Sequence, residues 1–411
     1  MRKRITLYAT IFIAGALQSF GQTLDESIKI AAENNPGLKA SYTQFEAAMQ
    51  RVAQVYSLPN PTISLGAFIS PIETRVGPQQ AKLGLAQMFP WFGTLQAKEN
   101  MATAQAEAQY QRFINAQNEL TFKVKEAWYP LYELHQAVVL QKQNLEILAS
   151  FKQLSLSSFK NGKGSMSDVI RVDLMMEAAE TDLKILSNKE LPLLSQLNAL
   201  LNRPESSFIA LPDFIQIVAV DDLYRRDSLV NNHPMIKMYG LQIKSAQAQE
   251  ELAFKMGQPN VGVGIDYIMV GKRTDVNMPK NGKDALMPMV TVSVPIYRKR
   301  YAAAVQEAQL NQAAIAFQQQ DFENTLQASY SMTWFQLSKA SELSQLYANQ
   351  VVKTKQVITL LLSSYSNSGA DFKEILRMQQ QLLKYQLAEA VAVKEYYTAL
   401  ARLDYITAKS E

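Results

Sequence analysis

The 411-residue sequence has no cysteine and only two histidines, His135 and His233. Without thiols there is no disulfide framework, cysteine-ligated zinc, iron–sulfur cluster or thiol nucleophile. Two histidines cannot build a His-rich metal site within one protomer, and both are read as structural. Charged residues reach only 19%, below the usual quarter. Glycine, at 16, is scarce for a chain with many tight turns. No nucleophile–base or metal constellation is readable, so neither a catalytic activity nor a cofactor is expected. The formal net charge is +4, and Arg2, Lys3 and Arg4 supply three of those cations. Residues 1–21 hold no acid, so without them the charge is +1, which offers nucleic acid no electrostatic footprint. Apolar residues still make up 47%, enough for a sizeable core or a membrane surface.

The first residues read as an export signal. Arg2, Lys3 and Arg4 form a basic start, Ile5 to Leu17 an apolar stretch, and Ser19 and Gly21 supply small residues before Gln22. Cleavage after Gly21 is expected. The apolar run is short for the ~20 residues of a transmembrane helix, and no later stretch reaches that length. No cysteine stands at the cleavage point, which excludes a lipid anchor there.

The rest is one unit written twice. Asn34-Asn35-Pro36 returns as Asn231-Asn232-His233-Pro234, with the prolines 198 positions apart. Pro59 returns as Pro259, Pro90 as Pro295 and Trp128 as Trp334, at offsets of 200, 205 and 206. Gly164 and Asp168 match Gly369 and Asp371. The division is thus a signal over 1–21, a first repeat over 22–210 and a second over 211–411. Each repeat opens with a helix, Leu24–Tyr56 or Asp222–Met256, after an N-cap type at Thr23 or Asp221. Two short alternating runs follow, then a very long helix, a Gly-containing turn and a returning helix. The helical hairpins cover about 92–202 and 298–408. In the first, Leu120, Val124, Ala127, Leu131, Leu134 and Val138 are spaced 4-3-4-3-4, a coiled-coil seam. Some 68 residues at 1.5 Å rise make a rod of roughly 100 Å, which Pro130 should kink. Such a rod needs lateral neighbours.

The four alternating runs lie at about 61–70, 81–89, 260–270 and 288–296. Val261, Val263, Ile265, Tyr267 and Met269 share one face, with Gly262, Gly264 and Asp266 on the other. Runs of 9–11 residues with this alternation fit membrane-spanning strands, apolar to lipid and polar to a lumen. Phe89, Trp91 and Phe92, then Tyr297 and Tyr301, sit at strand ends as an interfacial girdle would. A soluble four-stranded sheet packed on helices alternates in the same way. Four strands cannot close a barrel, so a membrane barrel requires an oligomer.

With an export signal and this duplication, certain motifs acquire meaning. Leu58-Pro59-Asn60-Pro61 precedes a strand, and Phe89-Pro90-Trp91-Phe92-Gly93-Thr94-Leu95 joins strand to long helix. Asp168-Val169-Ile170-Arg171-Val172 opens the return helix, and Leu200-Leu201-Asn202-Arg203-Pro204 closes the half. The chain resembles the TolC family of outer-membrane efflux proteins over essentially its whole mature length. The resemblance implies a mainly α fold with a small β part. It implies a homotrimer with a twelve-stranded barrel in outer-membrane lipid, four strands per protomer, above a periplasmic α-helical barrel. It also implies no catalysis. The duct would serve a tripartite efflux or type I secretion system of a Gram-negative bacterium, joined to an inner-membrane pump by a periplasmic adaptor.

The resemblance also assigns sites. Asn161, Gly162, Lys163 and Gly164, with Asn367, Ser368 and Gly369, become the helical tips that contact the adaptor. The start of each return helix becomes the periplasmic gate, which family members narrow with acidic residues one turn apart. Here the gate positions are Asp168 and Arg171, then Asp371, Glu374 and Arg377; the second acid is replaced by arginine in both halves. A mixed-charge gate could lock through ion pairs between protomers. The same residues also fit capping boxes, Ser165 with Asp168 and Asp371 with Glu374.

Other features carry less. Lys163 between two glycines lacks the first glycine of a phosphate loop and sits in a helix–turn–helix. Gly262 and Gly264 read as small residues on a lumen face. Met269, Met278, Met287 and Met289 surround one strand turn; sulfur ligands suit Cu(I), but methionines also simply pack. The loop 271–285, with Lys272, Arg273, Asp275, Lys280, Lys283 and Asp284, reads as solvated and extracellular. The residues alone also fit a periplasmic coiled-coil adaptor without a membrane barrel.

Overall fold

The computed structural model describes residues 24–218, 232–275, 278–368 and 371–408, with the backbone alone for 366–368. The export signal, the expected caps Thr23 and Asp221, and the tip residue Gly369 lie outside the described residues. In chain order the elements are α1 (Leu24–Asn34), α2 (Pro36–Val55), β1 (Thr62–Ile72), β2 (Gln79–Phe89), α3 (Thr94–Lys160) and α4 (Met166–Leu200). The second half adds α5 (Pro234–Met256), β3 (Asn260–Val270), β4 (Ala285–Ser293), α6 (Arg298–Ser368) and α7 (Phe372–Thr407). None of the described helices is long and apolar enough to cross a membrane. Two compact units emerge. One holds residues up to 33, 124–217 and 343–394; the other holds 34–123, 218–342 and 395 onward. Each unit draws on both sequence repeats.

The opening helix is two helices, not one. Proline disfavours helical geometry in the residue before it and lacks an N–H of its own. Asn35 is therefore extended (φ −61°, ψ 122°), and its side chain accepts from the Leu38 N–H at 3.1 Å. In the second repeat His233 takes the same place: φ −65°, ψ 128°, with Nδ1 accepting from the Met235 N–H at 3.2 Å. The recurring Asn-Asn-Pro landmark is thus a helix N-cap followed by proline at N1.

In the first unit, the α3 seam residues Val124, Ala127, Leu131 and Leu134 are buried and Val138 is half-buried, as the heptad spacing requires. Neither Pro130 nor Pro192 breaks its helix. At the hairpin end Leu148, Phe151, Val172, Ala179, Phe372, Ile375 and Leu376 form one core from α3, α4 and α7, and Leu361 and Tyr365 of α6 pack against it. In the second unit Ile236, Leu326 and Ile406 make a smaller core with Phe322, Tyr330 and Tyr405 around it.

His233 lies against that smaller core, 1% exposed, with the rings of Phe322 and Tyr405 at 5.2 and 5.9 Å. Burial lowers its pKa from 6.5 to about 4. The unfolded chain therefore takes up this proton at a higher pH than the folded one. The contribution to stability is complete above about pH 6.5 and is lost as pH falls toward 4. Between pH 7.5 and 5 the loss should be about 2 kcal/mol. Denaturant unfolding in detergent should show this slope in the wild type and a much flatter one in His233→Asn, which installs the cap of the first repeat. Equal slopes would disprove the assignment.

Candidate functional site

The four strands form one antiparallel sheet in the order β1-β2-β3-β4. One cross-strand row holds Leu65, Leu83, Tyr267 and Leu286; the next holds Ile63, Leu85, Ile265 and Pro288. Three strands fall close to their sequence assignment. The fourth does not: it runs over 285–293 rather than 288–296, so Val294 and Ile296 lie beyond it. Proline cannot donate to a ladder, so Pro295 stops the pairing, whereas Pro288 is tolerated because β4 is an edge strand.

The burial of this sheet is inverted relative to a soluble one. The apolar rows are the bare side: Leu65 is 82% exposed and Val290 74%. The other side is covered along the central strands β2 and β3, where Asp266 is 1% exposed and ion-paired with Lys82, while β1 and β4 are exposed on both faces. A sheet stable in water turns its apolar face to a core. A sheet that turns it outward, over strands of 9–11 residues, matches a lipid-facing barrel wall.

The glycines of the inner face make room for neighbours. A Cβ on Gly84 would meet Asp266 Oδ1 and Ser64 Oγ, each at 2.5 Å; on Gly262 it would meet Met88 Sδ at 2.3 Å. The methionines near the second turn do not group. Met269 is on the apolar face, Met287 and Met289 pair with Asp266 and Gly264 on the other, and Met278 is in the loop. At the helix-proximal rim, Gly93 at φ 78° turns β2 into α3. That turn presents Trp91 and Phe92, whose rings meet edge-on at 5.8 Å.

The first unit carries the hairpin ends. α3 closes in a Schellman motif: Lys163 N–H donates to Ser158 C=O at 2.9 Å and Gly162 N–H to Phe159 C=O at 3.0 Å, with Gly162 at φ 71°. Lys163 is thus part of a helix stop. Leu200 to Pro204 makes a second such stop, with Asn202 at φ 54° and Arg203 N–H donating to Asn198 C=O at 2.9 Å.

Both return helices start alike. Ser165 Oγ accepts from Ser167 N–H at 3.1 Å, and Asp371 Oδ1 from Lys373 N–H at 2.9 Å. The acid three residues on does not complete a capping box. Asp168 instead pairs with Arg171 at 3.3 Å, and Glu374 accepts from Arg377 through both oxygens, the Nε contact being 2.9 Å. The hydrogen bond from Arg377 holds the Glu374 carboxyl below the usual range. All five expected gate residues therefore sit at helix starts, and both acid–arginine pairs lie within single helices. Of the tip residues, Asn161 to Gly164 form the described turn. Asn367 and Ser368 end α6 as backbone only.

Three ties at this end escaped the sequence reading. Tyr365 donates to Ser158 Oγ at 2.9 Å, Lys152 pairs with Asp173 at 2.6 Å, and Gln379 donates to Asn144 at 3.3 Å. Leu156-Ser157-Ser158-Phe159 recurring as Leu362-Ser363-Ser364-Tyr365 is the signal that could have placed the first.

The family model for outer membrane efflux proteins matches residues 27–203. No curated protein matches the sequence. Among solved structures the chain is similar to the outer-membrane channel OprN, at 16% identity and TM-score 0.78, covering 94% of this chain and 90% of that one. It is similar to the outer membrane protein VceC of Vibrio cholerae, at 15% and 0.75, covering 93% and 95%. It is also similar to the CmeC outer membrane channel of Campylobacter jejuni, at 13% and 0.70, covering 99% and 93%. The chain thus carries the sequence pattern of the outer membrane efflux proteins over residues 27–203 and shares the fold of these channels along nearly all of its length.

Proposed function

We propose that this chain is the outer-membrane exit duct of a tripartite efflux or secretion system. It conducts substrate passively from a periplasmic adaptor and an inner-membrane pump, without chemistry of its own. The observation that carries this reading is the sheet whose apolar side is exposed on all four strands, while its polar side is covered on the central two. Three protomers supply twelve strands to one barrel, and the hairpin ends project into the periplasm. A periplasmic adaptor would bury that apolar side, so the same observation disfavours it. The mature protein should require detergent, run as a trimer and conduct ions in planar bilayers. A monomer soluble in aqueous buffer would overturn the proposal.

The faces of the sheet can be tested directly. Ile265 stands at mid-strand on the apolar side, and Met287 on the opposite face beside Asp266. Ile265→Arg should cost about 2–4 kcal/mol near the bilayer midplane, read as lost trimer in outer membranes. Met287→Arg projects into the lumen, so the trimer should persist with altered conductance. Equal tolerance at the two positions would contradict the register.

The gate follows from the hairpin ends. In a trimer, Glu374 and Arg377 would recur three times around the axis at the start of α7. Each pair is exposed and individually weak, but the three act together on one equilibrium. Glu374→Gln with Arg377→Gln should raise single-channel conductance without dissociating the trimer. Arg377→Gln alone should raise it further, because three unpaired carboxylates would repel one another. Both effects should shrink as salt screens the charges beyond about 8–10 Å. Unchanged conductance in both variants, at low and high salt, would leave these residues as helix-end stabilisers.

A further inference from the structure

Two turns at the sheet end opposite the helices, 73–78 between β1 and β2 and the described residues 271–275 and 278–284 between β3 and β4, are tied into one body. Gly271 N–H donates to Pro78 C=O and Gly282 N–H to Val76 C=O, both at 2.7 Å. Gly77, at φ 131°, lies so close that an added Cβ would be 1.8 Å from Gly271 O. Asn281 clamps the Arg273 backbone from both sides, accepting from its N–H at 2.8 Å and donating to its C=O at 2.9 Å.

This body holds five cations and three acids. The acids are largely committed. Asp275 takes Arg273, and Asp284 accepts from the Val270 N–H at 2.9 Å and from the Tyr267 hydroxyl. Glu73 adds its field to Arg273. Arg75, Lys272, Lys280 and Lys283 have no ion pair among the described residues. The fold nevertheless brings them together. A Cβ on Gly282 would be 2.6 Å from Lys272 Cγ, so the lysine stem crosses that glycine between Lys280 and Lys283. The Gly282–Val76 bond sets Arg75 beside the same point. Gathering four unpaired like charges on a backbone-locked turn is unfavourable in isolation and becomes favourable against an anion. The body adjoins the end of the bare apolar band, marked by the exposed Ile72, Met269 and Leu286. In a lipid-spanning barrel that level meets headgroup phosphates.

We infer that Arg75, Lys272, Lys280 and Lys283 form a binding surface for the phosphate groups of anionic lipid headgroups at the outer rim of the barrel. The inference rests on the membrane reading of the sheet. The test equilibrates the purified trimer with vesicles of phosphatidylglycerol and phosphatidylcholine of matched acyl chains, then measures the lipid retained after re-extraction. The wild type should retain phosphatidylglycerol preferentially, and the preference should vanish toward 1 M salt, where the Debye length is about 3 Å. Substituting all four cations by glutamine should cut the preference by about fivefold per cation removed, with single-channel conductance confirming an intact barrel. Indifferent retention by the wild type, or a preference insensitive to salt, overturns the inference without need of the variant. So does an undiminished preference in the substituted trimer. Abolition of the preference by inorganic phosphate at equal concentration would assign the surface to free anions instead of lipid. A wild type that fails to insert into bilayers at all would strike the membrane reading itself.

Discussion

An antiparallel sheet that leaves its apolar rows bare and both edges unpaired is unstable in water. Each Å² of apolar surface left exposed forgoes about 25 cal/mol, and open edges invite pairing with other chains. Strands β1 and β4 are those edges here. Lipid removes the first penalty and closure of the barrel the second. Because four strands per chain cannot close, the proposed barrel draws its remaining strands from other copies. The helices follow from the same constraint. On the proposed reading, an outer-membrane barrel would reach an inner-membrane partner only through long elements, and α3 and α6 run 67 and 71 residues.

Duplication lets one backbone solution be written twice with different side chains. Asn35 and His233 both cap a helix before proline, one with an amide oxygen and the other with an imidazole nitrogen. Ser165 and Asp371 both cap a return helix through the N–H two residues on. The substitutions are not equivalent in consequence. An amide does not titrate in the ordinary pH range, whereas a buried imidazole ties the second repeat to pH through the cost of charging it.

Strand existence and facing were legible in the sequence because alternation is a period-two property, and burial then confirmed that the apolar face is the exposed one. The displacement of β4 was missed because Val290 to Ile296 alternates as well outside the ladder as within it, and the run was carried past Pro295, which stops the pairing at Ser293 opposite Asn260. The break at Asn35 was spelled by Pro36, which disfavours helix in the residue before it. At the hairpin ends, caps and turns were readable, since glycine and short polar residues act locally. Which partner Glu374 would take was not. Spacing of three residues serves a capping box and an arginine pair equally, and the fork of Arg377, able to reach both carboxylate oxygens, wins.

That outcome changes what holds the hairpin ends together. Asp168 with Arg171 and Glu374 with Arg377 are each internal to one helix, so sliding the α6–α7 hairpin against α3–α4 would leave both pairs intact. The contacts such a movement must break include the Tyr365–Ser158 and Gln379–Asn144 bonds and the packing of Phe372 against Phe151, with ring centres 6.0 Å apart. Phe372 belongs to the same first turn of α7 as Glu374. One face of that turn is fixed in the core by Phe372, Ile375 and Leu376, while the other presents the ion pair to solvent. If this end gates as proposed, charge would bias the opening, while the apolar side of the same helical turn would set how far the hairpins travel before the core gives way.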